Sequence, residues 1–75
     1  MSYTEEICTE ELLNNLYYVY THDISVEEYN GLSIEIKAAV VLKDIAAVYY
    51  IKSFTMFLKL YIDNYVKLVE LASTK

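Results

Sequence analysis

The chain has 75 residues, of which 56% are apolar, and a net charge of −5. A chain of this length forms one domain and buries only about 60% of the surface that its unfolded form exposes, so its own core gives marginal stability. The single cysteine excludes an internal disulfide, and one cysteine with one histidine excludes a Cys/His zinc site. The apolar content exceeds the usual value of about 45–50%. We therefore expect the chain to gain stability by associating with another chain.

The charges are distributed unevenly along the chain. Residues 1–36 carry a net charge of −8 without any Lys or Arg, whereas residues 37–75 carry +3. This asymmetry favours an antiparallel contact within the chain or between two copies, although each exposed pair contributes only about a few tenths of a kcal/mol. Arginine, the preferred residue for binding phosphate and guanine, is absent. The sequence therefore argues against nucleic-acid binding.

The N-terminal sequence lacks the basic cluster and apolar run of a signal peptide, since its first charged residues are Glu5 and Glu6. We therefore expect a cytoplasmic protein, or one of the host cytoplasm if its source is viral. A membrane span needs about 18 or more apolar residues with few charges. No concentrated basic face suggests a helix at a membrane surface either. The charges that interrupt the apolar C-terminal half are Lys43, Asp44, Lys52, Lys59, Asp63 and Lys67.

The first predicted element is a helix over residues 2–21. Apolar residues recur at intervals of three and four, which is the spacing of helices. Ser2 and Glu5 form a capping box at its start, and we expect it to end near Thr21. His22 follows where a side chain can interact with the exposed carbonyls of a helix end. The predicted core stripe of this helix is Cys8, Leu12, Leu16 and Val19, with Cys8 as a buried thiol.

A second capping box, Ser25 with Glu28, predicts a short helix over residues 25–31. Gly31 would end it, because glycine tolerates the left-handed conformation of a helix C-terminus. No strong helix breaker follows. The simplest prediction is one long helix over residues 33–73, which would measure about 60 Å at 1.5 Å per residue.

The apolar stripe of this long helix changes sides near residues 50–54. Projection at 100° per residue separates the two stripes by about 180°, whereas supercoil drift accounts for only about 50°. Either the chain breaks near residues 52–54 and folds back, or a continuous helix meets different neighbours along its length. The absence of Gly and Asn around Ser53 favours the continuous helix, and the break stays open as the alternative. The first stripe is Ile34, Ala38, Val41, Leu42, Ile45, Val48 and Tyr49, with Lys37, Lys43 and Asp44 opposite.

The predicted fold is all-α: a small helical bundle of an N-terminal helix, a short helical turn and a long C-terminal helix. The N-terminal helix can cover only one half of the long helix, so we expect dimerisation to complete the bundle. The second apolar stripe supplies the predicted self-interface, which consists of Phe54, Leu58, Tyr61, Ile62, Tyr65 and Val69.

No catalytic, cofactor-binding or metal-binding site is predicted. Glu6 and Glu10 lie one helical turn apart, but a di-metal bundle uses Glu-x-x-His pairs, and Val19 stands three residues before His22. The sequence contains no nucleophile-base pair and no phosphate-binding loop. We therefore predict no enzyme, no cofactor and no metal.

The predicted function is non-enzymatic protein-protein interaction. We expect a homo-oligomeric helical bundle, most simply a homodimer, that serves as an interaction module or small accessory or regulatory protein of viral, phage or plasmid origin. Nine tyrosines suit an interface, so a tyrosine-rich surface for another protein is a further option. The alternative is an acidic inhibitor or nucleic-acid mimic that blocks a basic site on a partner protein. The candidate acidic docking face is Glu5, Glu6, Glu10, Glu11, Glu27 and Glu28.

Overall fold

The computed structural model of the chain describes residues 10–46 and 51–74. Over these residues the chain forms helices and no strand, so the predicted all-α class is confirmed. The predicted helix start at Ser2, with Glu5 as its capping partner, lies outside the described residues. The helices are α1 (Glu10–Thr21), α2 (Val26–Asn30), α3 (Ile34–Ala46), α4 (Phe54–Asp63) and α5 (Tyr65–Ser73).

Lys43 of α3 caps the C-terminal end of α1. Its Nζ donates hydrogen bonds to the carbonyl oxygens of Val19, at 2.9 Å, and of His22. The last carbonyls of a helix have no intrahelical partner, and a cation suits the negative end of the helix dipole. The sequence placed Lys43 opposite the apolar stripe, but the structure half-buries it. The side chain therefore attaches α1 to α3.

The short helix α2 is held at both ends by hydrogen bonds. Ser25 Oγ accepts from the N–H of Glu28 at 3.1 Å. At the other end, the N–H groups of Gly31 and Leu32 donate to the carbonyls of Glu28 and Tyr29, both at 3.1 Å. These bonds between residues three apart belong to a right-handed chain, and Gly31 has φ −89° and ψ −3°. The left-handed conformation predicted for Gly31 is therefore wrong.

The central helix is α3, which contacts α1, α4 and α5. Its buried residues are not confined to the single stripe that the sequence predicts, because neighbours cover it on several sides. Ala38 and Ala39 have no exposed surface, and such small side chains let the neighbouring helices approach closely. The buried residues of α3 are Ile36, Ala38, Ala39, Val40, Val41 and Leu42.

The chain leaves helical geometry before α4, so the single helix predicted over residues 33–73 is wrong. Ile51 and Lys52 are not helical, and Ser53 is extended, with φ −151° and ψ 155°. Ser53 Oγ accepts a hydrogen bond from the N–H of Met56 at 3.1 Å, which makes Ser53 the N-cap of a new helix. The prediction required Gly or Asn for a turn and overlooked this capping serine. The fold extends 31 × 26 × 21 Å, which is too short for a helix of about 60 Å.

A second interruption, at Asn64, separates α4 from α5. Asn64 has φ −119° and ψ 16°, and both its backbone N–H and its Nδ2 donate to the carbonyl of Leu60, at 3.1 and 2.9 Å. Asparagine side chains commonly bond to a nearby backbone carbonyl in this way and so compete with regular helix geometry. The result is two separate helices that both contact α3.

The hydroxyl group of Tyr61 joins two helices within the core. Tyr61 Oη donates to the carbonyl oxygen of Glu35, at 2.8 Å, and so joins α4 to the first turn of α3. Burial of the Tyr61 hydroxyl raises its pKa above the usual value for tyrosine, because ionisation there would place a charge in an apolar environment. The buried residues outside α3 are Leu16, Val19, Phe57, Tyr61, Leu68 and Ala72.

Candidate interaction surface

The six residues of the predicted self-interface lie against the core of their own chain. Because the chain folds back before α4, this stripe meets the other helices of the same chain. Tyr61 has no exposed surface. Within the single chain its side chain therefore belongs to the core, and its place in a self-interface stays a prediction. The other five residues are partly buried: Phe54, Leu58, Ile62, Tyr65 and Val69.

Phe54 illustrates the intrachain role of this stripe. Its ring contacts the ring of Tyr17 edge-on, with centroids 5.0 Å apart, and the ring of Tyr20 at 5.6 Å. Tyr20 also lies 5.4 Å from Phe57. Aromatic pairs at such distances contribute about 0.5–1.5 kcal/mol beyond the burial of their area. Phe54 therefore helps to hold α1 against α4.

The described tyrosines do not share one surface. Tyr17 and Tyr18 of α1 are exposed, whereas Tyr61 belongs to the core. Tyr20, Tyr29 and Tyr65 are half-buried. A tyrosine-rich surface for another protein stays a prediction, with Tyr17 and Tyr18 as its exposed members.

The described acidic residues fall into two separate pairs. Glu10 and Glu11 lie in the first turn of α1, and Glu27 and Glu28 lie in α2. Glu28 accepts a hydrogen bond from the hydroxyl of Tyr18 and so raises the pKa of that tyrosine. Tyr18 follows Glu10 by eight residues, which is about 12 Å along a helix. The two pairs therefore lie at opposite ends of α1, while Glu5 and Glu6 lie outside the described residues.

An open apolar groove with a volume of about 650 Å³ lies between α3, α4 and α5. Leu42 and Leu68, which are buried, contribute to its floor. Ile45, Met56 and Leu71 line its edges and are 40%, 44% and 38% exposed. They are three of the seven large apolar side chains that are exposed in the described part of the chain. An apolar groove with exposed apolar edges is a candidate site for binding apolar groups.

Three exposed charged side chains, those of Lys59, Asp63 and Lys67, also line this groove and form its rim. Within residues 10–46 and 51–74, none of the three forms an ion pair with another side chain. Lys59 precedes Asp63 by four residues on α4, which is the less favourable order for a helical ion pair. The interruption at Asn64 separates Asp63 from Lys67. The rim therefore presents charges of both signs that form no ion pair within the described part of the chain.

This groove was not predicted from the sequence, although the spacing of some of its apolar residues is visible there. Met56 and Leu60 are four residues apart on α4, and Leu68 and Leu71 are three apart on α5. These intervals place a second apolar face on each helix. The two faces converge because α4, which has Ser53 as its N-cap, and α5 both pack against α3. The preferred prediction of one continuous helix over residues 33–73 does not allow this packing.

No group of three His, Cys, Asp or Glu side chains in the described ranges could hold a metal ion. None of the helices described above is both long enough and apolar enough to cross a membrane. The prediction of a buried thiol at Cys8 falls outside the described residues. Comparison with known proteins found no matching protein family, curated protein or solved structure.

Proposed function

We propose that this chain is a non-enzymatic interaction module, of the kind that a small accessory or regulatory protein uses, which self-associates through the groove between α3, α4 and α5. The observation that carries the proposal is the convergence of Ile45, Met56 and Leu71 on one groove with a buried floor. Side chains that protrude beside an apolar groove can insert into the same groove of a second copy. A two-fold axis makes such burial reciprocal.

The composition supports a second copy as the occupant of the groove. With one cysteine in 75 residues the chain has no internal disulfide, and small domains without crosslinks commonly gain stability by oligomerisation. The mixed rim also favours a self-complementary interface over a partner with charges of one sign. A strongly acidic partner would meet like charge at Asp63, and a strongly basic one at Lys59 and Lys67.

The proposed interface is larger than the groove itself. A standard interface buries about 800 Å² per partner, which is roughly 15% of the chain's accessible surface of 5171 Å². Apolar burial stabilises such a contact by about 25 cal/mol per Å², but the lost freedom of the two copies offsets much of this gain. We expect a dimer with a dissociation constant on the order of micromolar or lower.

Light scattering of the wild type and of Leu71→Glu tests this proposal. We expect the wild type to have twice the monomer mass of 8.7 kDa, in low and in high salt, because apolar contacts dominate the interface. Leu71→Glu places a carboxylate at the groove edge and should give a monomer with unchanged helical circular dichroism. Val26→Glu is the matched control, since Val26 is 77% exposed on α2 and does not line the groove. A wild type that is monomeric at every concentration, or equal dissociation of both variants, would contradict the proposal.

Leu58→Glu distinguishes the groove from the interface that the sequence predicted. Leu58 is partly buried against the core of its own chain, so a carboxylate there would lie in an apolar environment without a partner. We expect this variant to lose helical structure, whereas Leu71→Glu retains it. A folded, monomeric Leu58→Glu protein would instead favour the predicted stripe as the self-interface.

The acidic-inhibitor alternative stays a prediction. It requires carboxylates gathered on one face, and its binding to a basic site would weaken steeply with salt. The two pairs, Glu10 with Glu11 and Glu27 with Glu28, give it no specific support, because they lie at opposite ends of α1.

A further inference from the structure

We infer that Asp63 of one copy pairs with the rim lysines of the second copy, and that these ion pairs set the register of the dimer. The inference rests on the proposed self-association through the groove. Its structural basis is the position of Lys59, Asp63 and Lys67 around one apolar groove, where they are exposed and form no ion pair with any side chain of residues 10–46 and 51–74. Two-fold symmetry makes each such pair occur twice, since each copy supplies both an acid and a base.

The order of the rim charges discriminates between registers. Lys59, Asp63 and Lys67 recur at intervals of four residues. If the two-fold axis passes beside Asp63, the two aspartates face each other and Lys59 faces Lys67, so like charges meet throughout. An axis between Asp63 and either lysine gives reciprocal pairs of opposite charge. The rim charges therefore disfavour the arrangement centred on Asp63 and favour the two offset arrangements, as flanking charges do in coiled coils.

The apolar part of the groove does not provide this selection. Apolar contacts are non-directional and depend mainly on the area removed from water, so Ile45, Met56 and Leu71 accept several offsets. Offsets that place like charges opposite each other at the edge of a partly desolvated interface are disfavoured. The register of the dimer accordingly depends on the rim, and its affinity depends mainly on the groove.

A mixing experiment with two charge variants tests the inference. Asp63→Lys makes the rim entirely basic, and Lys59→Glu combined with Lys67→Glu makes it entirely acidic. We expect each variant alone to self-associate about tenfold more weakly than the wild type, since two reciprocal pairs are replaced by repulsion. An equimolar mixture should form a heterodimer at least as tight as the wild-type dimer. Sedimentation velocity measures the three affinities, and high salt should reduce the differences.

Asp23→Lys is the matched control for Asp63→Lys. Asp23 is exposed in the segment between α1 and α2 and does not line the groove, but its substitution changes the net charge by the same amount. Mixed with the acidic-rim variant, it should form no preferred heterodimer.

The results of the mixing experiment distinguish the ion-pair inference from the proposed self-association through the groove. A dimeric wild type whose basic-rim and acidic-rim variants associate no more tightly together than apart would overturn the ion-pair inference and leave the groove proposal standing. If the acidic-rim variant formed a heterodimer with Asp23→Lys as readily as with Asp63→Lys, the ion-pair inference would also be overturned, because the effect would then arise from net charge alone. A monomeric wild type together with a monomeric mixture would overturn both proposals.

Discussion

The central helix and the two C-terminal helices bury their apolar residues in different ways. Neighbours cover α3 on several sides, so that all but one of residues 36–42 are buried. α4 and α5 each bury a narrow stripe, Phe57 with Tyr61 and Leu68 with Ala72, and turn a second apolar face toward the open groove. The fold of the single chain is therefore organised around α3, whereas α4 and α5 retain exposed apolar surface.

The difference follows from the size of the chain. A helix that is apolar on all sides requires neighbours on all sides, and in the described chain α1, α4 and α5 cover α3 in this way. Helix α4 contacts α1, α3 and α5, and α5 contacts α3 and α4, but these neighbours leave Met56 and Leu71 44% and 38% exposed. Substitutions in these helices test the contrast between the covered helix α3 and the partly covered helices α4 and α5.

The largest expected effect distinguishes two adjacent residues on different faces of α4, of which one is buried and one is exposed. Phe57 has no exposed surface, whereas Met56 is 44% exposed. Phe57→Ala should reduce the free energy of unfolding by about 3–5 kcal/mol, which is comparable with the whole stability of a small domain. Met56→Ala should cost about 1 kcal/mol or less and mainly weaken self-association. Urea denaturation and sedimentation check both effects, and equal destabilisation would show that α4 is covered on both sides.

The attachment of α1 to α3 depends on Lys43. Lys43→Met removes the two hydrogen bonds from Nζ to the carbonyls of Val19 and His22, and we expect the free energy of unfolding to fall by about 1–3 kcal/mol. Lys52→Met is the matched control, because Lys52 is exposed and its loss should change stability by about 0.5 kcal/mol at most. Urea titration at neutral pH measures both. Equal effects would mean that α3 holds α1 by apolar contacts alone.

We expect the buried hydroxyl of Tyr61 to make the free energy of unfolding fall at alkaline pH. Burial raises the pKa of Tyr61 in the folded chain, so the unfolded state releases its proton first. The stabilisation is complete below about pH 10 and falls as pH rises further, by up to about 1.4 kcal/mol per pH unit.

Urea titrations of the wild type and of Tyr61→Phe between pH 7 and 11 measure this effect. Tyr61→Phe should lose about 1 kcal/mol at neutral pH, where the hydrogen bond to Glu35 is missing, and show a shallower alkaline decline. Tyr18, whose pKa is also raised, is present in both proteins, so their difference isolates Tyr61. Identical alkaline slopes would show that Tyr61 does not join α4 to α3 through a buried hydroxyl.

The smallest effect tests whether α4 begins as a helix separate from α3. Ser53→Ala removes the side-chain cap on the N–H of Met56 and should cost about 1 kcal/mol. Ser53→Asp retains an acceptor and should restore most of that loss, because a carboxylate also suits a helix N-terminus. Thermal unfolding followed by circular dichroism compares the three proteins. An Ser53→Ala protein as stable as the wild type would favour a chain that stays helical through residue 53.

The features that agree with the sequence analysis are local. The structure ends α1 at Thr21, caps α2 with Ser25 and places His22 Nδ1 3.1 Å from the carbonyl oxygen of Tyr18, as the pattern predicts. Each of these involves residues within four positions of one another, where side-chain type and spacing are sufficient. The roles of Lys43 and Tyr61 were not predictable in this way, because their hydrogen-bond partners lie more than twenty residues away.

The candidate groove likewise combines features that follow from local sequence with features that depend on contacts between distant residues. The sequence alone determined the helical class and an excess of apolar surface for one small chain, because both depend on composition and on spacing within a few turns. Only the tertiary structure decided which apolar stripe belongs to the core and which lines the groove. That choice depends on the packing of α4 and α5 against α3, which brings Leu42, Met56 and Leu71 together from three different helices.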